Sequence, residues 1–322
     1  GNKLNNLPES ELEIICDHAR SDNQWFTKSM VTTALNGIAL LLQEPGLSAW
    51  ANQYPADSEV RRVGIVMAGN IPLVGFHDLL CVVISGHTAV IKLSSQDAYL
   101  PTLIANWLID INDEMANQLL FVDKLNDIDA VIATGSDNSA RYFHQYFDHI
   151  PNIIRKNRTS IAVLDGAETW EDLAKIGPDI FTYFGLGCRN VSKVFVPEGY
   201  KLPDFLDALK DYEEVILHHK YHNNYDYNKS IYLVNLEDHL DNGFLLLRQD
   251  DNLVSPLSVL YYETYSSLDE LALRLAGQSE KIQCIVSNNG WYPQSIEFGQ
   301  AQRPLVDDYA DGVDTMEFLS RL

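Results

Sequence analysis

Hydrophobic positions in the middle of the chain come in short unbroken runs instead of alternating with polar ones. "VGIVM" within "RRVGIVMAGN" (61–70), "TAVIKLS" (88–94) and "DAVIATG" (129–135) each read as a strand buried on both faces. Between them the spacing changes to that of helices, in "LVGFHDLLCVVISG" (73–86), "AYLPTLIANWLIDIN" (98–112) and "NSARYFHQYF" (138–147). Strands alternating with helices predict a parallel sheet with both faces covered. Residues 61–147 are therefore expected to form a doubly wound, nucleotide-binding unit. Upstream, Ser10 with Glu13 resembles a capping box opening a helix through about Arg20. A longer helix is expected from Trp25 or Phe26 to Leu42, ended by Pro45 and Gly46.

A second α/β unit follows. "SIAVLDG" (160–166) and "SKVFVPEG" read as strands, and "TWEDLAKIGPDIFTYFG" (169–185) as a helix broken at Gly177-Pro178. A helix at 203–211, a His- and Tyr-rich loop at 218–228, and strands at 230–235, 244–249 and 258–265 continue it. The helix "SLDELALRLAG" (267–277) and the strand "IQCIVSN" (282–288) complete it. The stretch "HIPNIIRKNR" interrupts the alternation, which puts a domain boundary near Pro151–Arg158. The expected division is 1–157 for N-terminal helices plus a Rossmann-like domain and 158–299 for a second domain. Residues 300–322 form a tail returning to the first.

Charge changes the picture of partners. Lys plus Arg number 23 against 45 Asp plus Glu, a formal net charge of -22. That balance argues against nucleic acid and against an anionic membrane surface, since both need basic patches. No apolar run reaches the roughly 20 residues of a membrane helix. The start "GNKLNNLPESELE" has neither a basic n-region nor an apolar h-region, so no signal peptide is expected. Four scattered cysteines with no CxxC pair fit a reducing cytoplasm better than a disulfide framework or a zinc knuckle. His218, His219 and His222 in "LHHKYHNNYDY" lack a consistent helical period, so a solvated loop is expected there and no metal.

Cys16, Cys81 and Cys284 lie inside apolar elements, as small core residues do. Cys188 does not. In "YFGLGCRNVSKVFVPEGY" (183–200), Gly185 and Gly187 precede it and a strand follows. A cysteine at such a turn can expose its sulfur as a nucleophile and aim its own N–H at an oxyanion. The Gly69-Asn70 turn after the first buried strand, and Thr134, Gly135 and Ser136 after the third, read either as turn and capping chemistry or as phosphate contacts.

Taken together, "MAGNIP" (67–72), "VIKLSS" (90–95), "IATGS" (132–136) and "FGLGC" (184–188) resemble, in order and spacing, the aldehyde dehydrogenase superfamily. "IIRKNRTSIAVL", "YFGLGCRNVSKVFVPEGY" and "FGQAQRPLVDDYADGVDTM" resemble its acyl-CoA reductase branch, which contains the fatty-acid reductase of bioluminescent bacteria. The resemblance implies an α/β fold of the aldehyde-dehydrogenase kind, with two parallel-rich α/β domains and an inter-domain cleft. It implies Cys188 as acyl-accepting nucleophile and Asn70 as side-chain donor of the oxyanion hole. Lys92, with Ser94 and Ser95 beside it, would contact the adenosine ribose. Thr134, Gly135 and Ser136 would pack near the cofactor's phosphates and nicotinamide end, and Asn252 stands where the family places a cofactor-ribose glutamate. Association through an extended hairpin implies a homo-oligomer, with 236–257 as the candidate segment.

Two departures sharpen the expectation. Oxidative members carry a glutamate that activates water near the position of Ile154, and "NIIRKNRTSIAV" contains no acid. An acyl-enzyme lacking that base would wait for hydride instead of hydrolysing. The acidic residue that usually holds the ribose 2′-hydroxyl is here Ser95, which permits NADPH and favours it over NADH. The expected activity is NADPH-dependent reduction of an acyl-CoA, or another acyl thioester, to an aldehyde. An acyl phosphate reductase of the same superfamily and an acyl- or nucleotide-binding partner subunit without turnover are the alternatives. Arg155, Lys156 and Arg158 form the densest basic cluster, either a solvated face or a contact for CoA or NADPH phosphates.

Overall fold

The computed structural model describes residues 1–55 and 59–322, which form two compact units, Gly1–Asn157 with Pro304–Leu322 and Arg158–Arg303. The first unit opens with helices α1 (Asn2–Asn5), α2 (Glu9–Asp22), α3 (Lys28–Leu41) and α4 (Gly46–Ala51). The Thr27 hydroxyl caps α3 by accepting the Met30 N–H at 3.2 Å. The Ser10–Glu13 capping box does not form. Pro8 stands at the N-cap of α2 with no side-chain cap, and Lys28 draws Glu13 outward at 3.4 Å and also pairs with Glu9.

Strands β1 (Arg62–Val66), β2 (Thr88–Lys92), β3 (Leu119–Phe121), β4 (Ala130–Thr134) and β5 (Asn152–Arg155) alternate with α5 (Phe76–Ile84), α6 (Tyr99–Ile111) and α7 (Asp137–Phe147). They pair in parallel in the order β3-β2-β1-β4-β5. Val63, Ile65, Val90, Ile91, Val131 and Ile132 are buried, which is why the three central strands read as continuous apolar runs. The two edge strands were not expected. They are three and four residues long. The stretch 151–158 therefore continues the alternation instead of interrupting it.

The second unit holds β6 (Thr159–Val163), α8 (Trp170–Ala174), α9 (Gly177–Phe181), β7 (Val191–Pro197), α10 (Leu202–Ala208) and α11 (His219–Asn235). It continues with β8 (Leu240–Asp241), β9 (Leu246–Gln249), β10 (Val259–Tyr265), α12 (Leu268–Ala276), β11 (Ile282–Ser287) and β12 (Ile296–Glu297). Its sheet has the order β12-β11-β6-β7-β10-β9-β8, parallel except for the β8–β9 pair. Leu164, Ile176, Val194, Phe205, Leu247 and Leu260 are among the residues of one buried cluster beside it.

Residues 218–235 are the largest departure from expectation. The loop at 218–228 and the strand at 230–235 are one helix, α11. Its buried stripe is Tyr221, Tyr225, Asn228 and Tyr232, while Leu233 and Val234 face outward. The spacing is helical, but polar-tipped side chains occupy it. Three of these tips reach partners: Tyr221 donates to the Phe244 carbonyl at 3.0 Å, Tyr225 to Asp241 at 2.6 Å and Asn228 to the Leu257 carbonyl at 2.9 Å.

The tail rejoins the first unit and ends in α13 (Thr315–Ser320). Trp50 Nε1 donates to the Tyr309 hydroxyl at 2.8 Å, and the Tyr54 hydroxyl donates to Asp314 at 2.8 Å. None of the described helices is long and apolar enough to cross a membrane.

Candidate active site

In the first unit, the residues singled out by the sequence gather at the C-terminal ends of three adjacent strands. Val66 of β1 lies opposite Lys92 of β2 and Ala133 of β4, so the turns carrying Asn70, Ser94 with Ser95, and Thr134 with Gly135 and Ser136 leave the same edge. The strand order reverses between β1 and β4, the place where open α/β sheets leave a crevice for a ligand.

The Asn70 turn is held from both sides. Asn23 Nδ2 donates to the Gly69 carbonyl at 3.1 Å, and the Leu73 N–H donates to Asp97 Oδ2 at 2.7 Å. Leu73 has a left-handed backbone with φ +58°. A Cβ on Gly69 would come within 2.6 Å of Ser94 Oγ, so glycine lets the β1 and β2 turns touch. Asp97 is buried, and its Oδ1 has no hydrogen-bond partner. Burial pushes its carboxyl up to about 7, against the Leu73 N–H and with help from the nearby Asp22. Sequence reading missed Asn23 and Asp97. Both sit in short polar stretches indistinguishable from ordinary turns.

Lys92 and Ser95 are exposed, Ser94 and Thr134 half-buried, and no acid occurs from residue 92 to 96. An ammonium group and hydroxyls without a carboxylate suit an anionic dinucleotide. Gly135 packs so closely that a Cβ would lie 2.8 Å from Ser139 Cβ. The Ser136 hydroxyl caps α7 by accepting the Ser139 N–H at 3.2 Å.

Arg155 does not reach toward phosphates. It is buried at the end of β5, paired with Asp78 of α5 and donating to the Thr315 hydroxyl at 2.8 Å. Arg158 donates to the Ile282 carbonyl at 3.0 Å, and Lys156 is exposed. The basic cluster thus contains two structural arginines.

In the second unit, Cys188 is half-buried in the turn between α9 and β7. The turn begins with three consecutive left-handed residues, Tyr183 (φ 57°), Phe184 (φ 55°) and Gly185 (φ 82°). The glycine was expected; the two aromatic residues were not. Asn190, only 2% exposed, ties the turn together. Its side-chain oxygen accepts the Gly187 N–H at 2.9 Å, and its main-chain N–H donates to the Gly187 carbonyl at 3.1 Å. Its amide nitrogen donates to the carbonyls of Thr182 at 2.6 Å, Asp179 at 3.1 Å and Ile180 at 3.2 Å. From β6, Ser160 Oγ donates to the Cys188 carbonyl at 3.0 Å.

Ser160 also lies 3.0 Å from Cys284 Sγ on β11. Burial pushes the Cys284 thiol up to about 11, with the charge of Arg189 working the other way. Arg189 donates to the Ala301 carbonyl at 3.3 Å. Asp179 accepts the N–H groups of Gly299 at 2.6 Å and Ala301 at 2.9 Å, and burial raises it to about 6. The loop bearing Asn252 is bound to β7 just beyond Cys188. Ser192 Oγ donates to the Leu253 carbonyl at 2.6 Å, and Lys193 Nζ to the Asp250 carbonyl at 2.8 Å. Asn252 is exposed and donates its side-chain amide to Asp250 at 2.8 Å. Among the described residues, no group of three or more His, Cys, Asp or Glu side chains is arranged to hold a metal ion.

Two α/β units of these topologies define an aldehyde-dehydrogenase-like fold. The NAD-dependent aldehyde dehydrogenase from Sinorhizobium meliloti superposes with TM-score 0.62 over 88% of this chain and 68% of its own, at 11% identity. The aldehyde dehydrogenase from Bacillus cereus, solved as an NAD+ complex, gives 0.59 over 88% and 70%, at 15% identity. At these identities the likeness is one of fold. The sequence carries the family: this chain belongs to the acyl-CoA reductase (LuxC) family, whose pattern it matches over residues 25–213. The long-chain acyl-protein thioester reductase of Aliivibrio fischeri is 24% identical over 161 residues. That alignment covers 45% of this chain and 33% of the relative's own length.

Proposed function

We propose that this protein reduces an activated long-chain acyl group, carried as a CoA or protein thioester, to the aldehyde through a thioester on Cys188. The observation that carries the reading is the Cys188 turn: a half-buried thiol in a constrained backbone, in a member of an acyl reductase family. The Cys188 thiolate attacks the acyl carbon, and the donor's thiol departs as thiolate. The Cys188 N–H donates to the carbonyl oxygen as it gains charge, and Asn70 keeps the donor role that the family resemblance implies for it. A bound reduced nicotinamide supplies the hydride that takes the acyl group to the aldehyde level. Release of the aldehyde breaks the bond to sulfur and restores the Cys188 thiolate.

The first unit is the cofactor-binding domain in this reading, and the second, with Cys188, the catalytic one. Lys92, Ser94 and Ser95 hold the adenosine ribose end, and Ser95 favours NADPH because it does not repel a 2′-phosphate. Thr134, Gly135 and Ser136 line the phosphates through main-chain groups and the Thr134 hydroxyl, since the Ser136 hydroxyl caps α7. Asn252 keeps the cofactor-ribose role that the family resemblance implies for it. The acid-free stretch 152–163 withholds the base that would hydrolyse the acyl-enzyme. A homo-oligomer contact through the segment 236–257, and a cytoplasmic setting, belong to the same reading.

The test offers acyl-CoA, acyl-protein thioester and acyl phosphate in turn, following NADPH oxidation and trapping radiolabelled acyl-enzyme. Oxidation with a thioester donor, lost in Cys188→Ala together with the label, is the expected result. Full activity of Cys188→Ala would overturn the mechanism, and turnover of acyl phosphate alone would overturn the substrate class. Acylation of Cys188 without NADPH oxidation would make the chain a non-catalytic acyl carrier.

A further inference from the structure

We propose that Asn190, with Ser160, is a positioning residue for acyl transfer: the two clamp the peptide groups on either side of Cys188 and fix the direction of its N–H. The inference rests on the assignment of Cys188 as nucleophile.

In a trans peptide the C=O and N–H point in opposite directions from one plane. The Gly187 carbonyl accepts the Asn190 N–H at 3.1 Å, so the Cys188 N–H in that same peptide is directed away from Asn190. The Asn190 side chain holds the preceding peptide as well, accepting the Gly187 N–H at 2.9 Å. On the other side, the Cys188 carbonyl is taken by Ser160 Oγ at 3.0 Å. Rotation of the Gly187–Cys188 plane would break the bond from the Asn190 main-chain N–H, and rotation of the Cys188–Arg189 plane would break the Ser160 contact. The Asn190 side chain holds that main-chain N–H in place by anchoring the residue to the Thr182, Asp179 and Ile180 carbonyls and to the Gly187 N–H, so truncation to alanine releases the bond indirectly.

The cost that this clamp offsets is visible in the same turn. Each non-glycine residue in a left-handed conformation costs about 1–2 kcal/mol. Tyr183 and Phe184 both adopt it immediately before Gly185. The Asn190 amide spans the Thr182, Asp179 and Ile180 carbonyls, which lead into that stretch. A buried amide with backbone partners on both sides of the bend stabilises a conformation that local preference opposes. Such residues hold catalytic geometry without touching substrate.

Acyl transfer and alkylation of one thiol separate positioning from mere stability. Attack on a thioester develops an oxyanion and depends on the direction of the Cys188 N–H. Attack on iodoacetamide displaces iodide at a saturated carbon and develops none. The rate of Cys188 acylation by acyl-CoA is divided by its rate of alkylation in the parent, Asn190→Ala and Ser160→Ala proteins, with thermal unfolding followed in parallel. The ratio should fall by about 30-fold or more in Asn190→Ala, toward the 10²–10³ typical of losing an oxyanion donor, and by roughly 3–10-fold in Ser160→Ala. A ratio unchanged in both variants overturns the inference, as do two rates that fall together with the folded fraction. Should Asn190→Ala not fold, Ser160→Ala decides alone by the same criterion. A parent enzyme whose Cys188 takes no acyl group overturns the proposed function and this inference together. A parent that is acylated while the ratios stay constant overturns only the clamp.

Discussion

Asp97 Oδ2 accepts the main-chain N–H of Leu73 at 2.7 Å, and its other carboxyl oxygen is buried without a partner. One acid thus fixes the exit of the turn that carries Asn70 while sitting where ionisation is unfavourable. Burial raises its carboxyl to about 7, against about 3.9 in an unfolded chain. Between those values the folded protein keeps a proton that the unfolded chain has lost. Stability from this group is full below about pH 4 and declines as pH rises to about 7. Asp97→Asn keeps an oxygen for Leu73 and cannot ionise. It should exceed the parent in stability at pH 8 by on the order of 2–4 kcal/mol, with the gap closing toward pH 4. Urea midpoints at the two pH values check this, and a gap independent of pH would contradict it.

Arg155 and Asp78 make a buried ion pair inside the first unit. Arg155→Met should cost about 3–5 kcal/mol, because Asp78 is then left charged and buried. Adding Asp78→Leu should recover most of that loss. A double-mutant cycle in denaturant measures both steps. If the arginine served a bound phosphate instead, the single variant would retain its stability and lose cofactor affinity.

Ser95 is exposed, three residues beyond Lys92 at the end of β2. Ser95→Glu should shift cofactor preference from NADPH toward NADH by on the order of tenfold, since a carboxylate repels a 2′-phosphate and accepts a 2′-hydroxyl. The ratio of kcat/KM values reads it directly, and an unmoved ratio removes Ser95 from the ribose site.

With its thiol pushed up to about 11, Cys284 holds roughly one thiolate per thousand molecules at pH 8. In a Cys188→Ala background, its alkylation by iodoacetamide should accelerate about tenfold for each pH unit from 8 to 10. Peptide mapping by mass spectrometry follows the residue. Rapid labelling at pH 7 would refute the burial that sets this value.

Where apolar residues form the buried surface, the sequence was legible. Strands β1, β2, β4, β6, β7 and β10 are buried runs, and the pattern located the ends of each to within three residues. It failed where polar side chains do the packing. Helix α11 buries tyrosines and an asparagine through hydrogen bonds, so its period was hidden. The edge strand β5 carries Arg155 inward to Asp78, and a buried arginine reads from sequence as a surface charge. Cys188 was conspicuous because two glycines precede it. Asn190, two residues later, was not, because the four backbone partners of its side chain exist only once α9 has turned into β7.

The second unit is one continuous stretch of chain, whereas the first is interrupted by it and completed by Pro304–Leu322. Tyr309, Asp314 and Thr315 bring partners to Trp50, Tyr54 and Arg155, over separations of 160 to 260 residues. On the ribosome, the second unit has its whole sequence before these partners emerge. The first must wait, with Arg155 and Asp78 already synthesised but the Thr315 hydroxyl still to come. Vectorial synthesis therefore favours folding the cysteine-bearing unit first and closing the older one last.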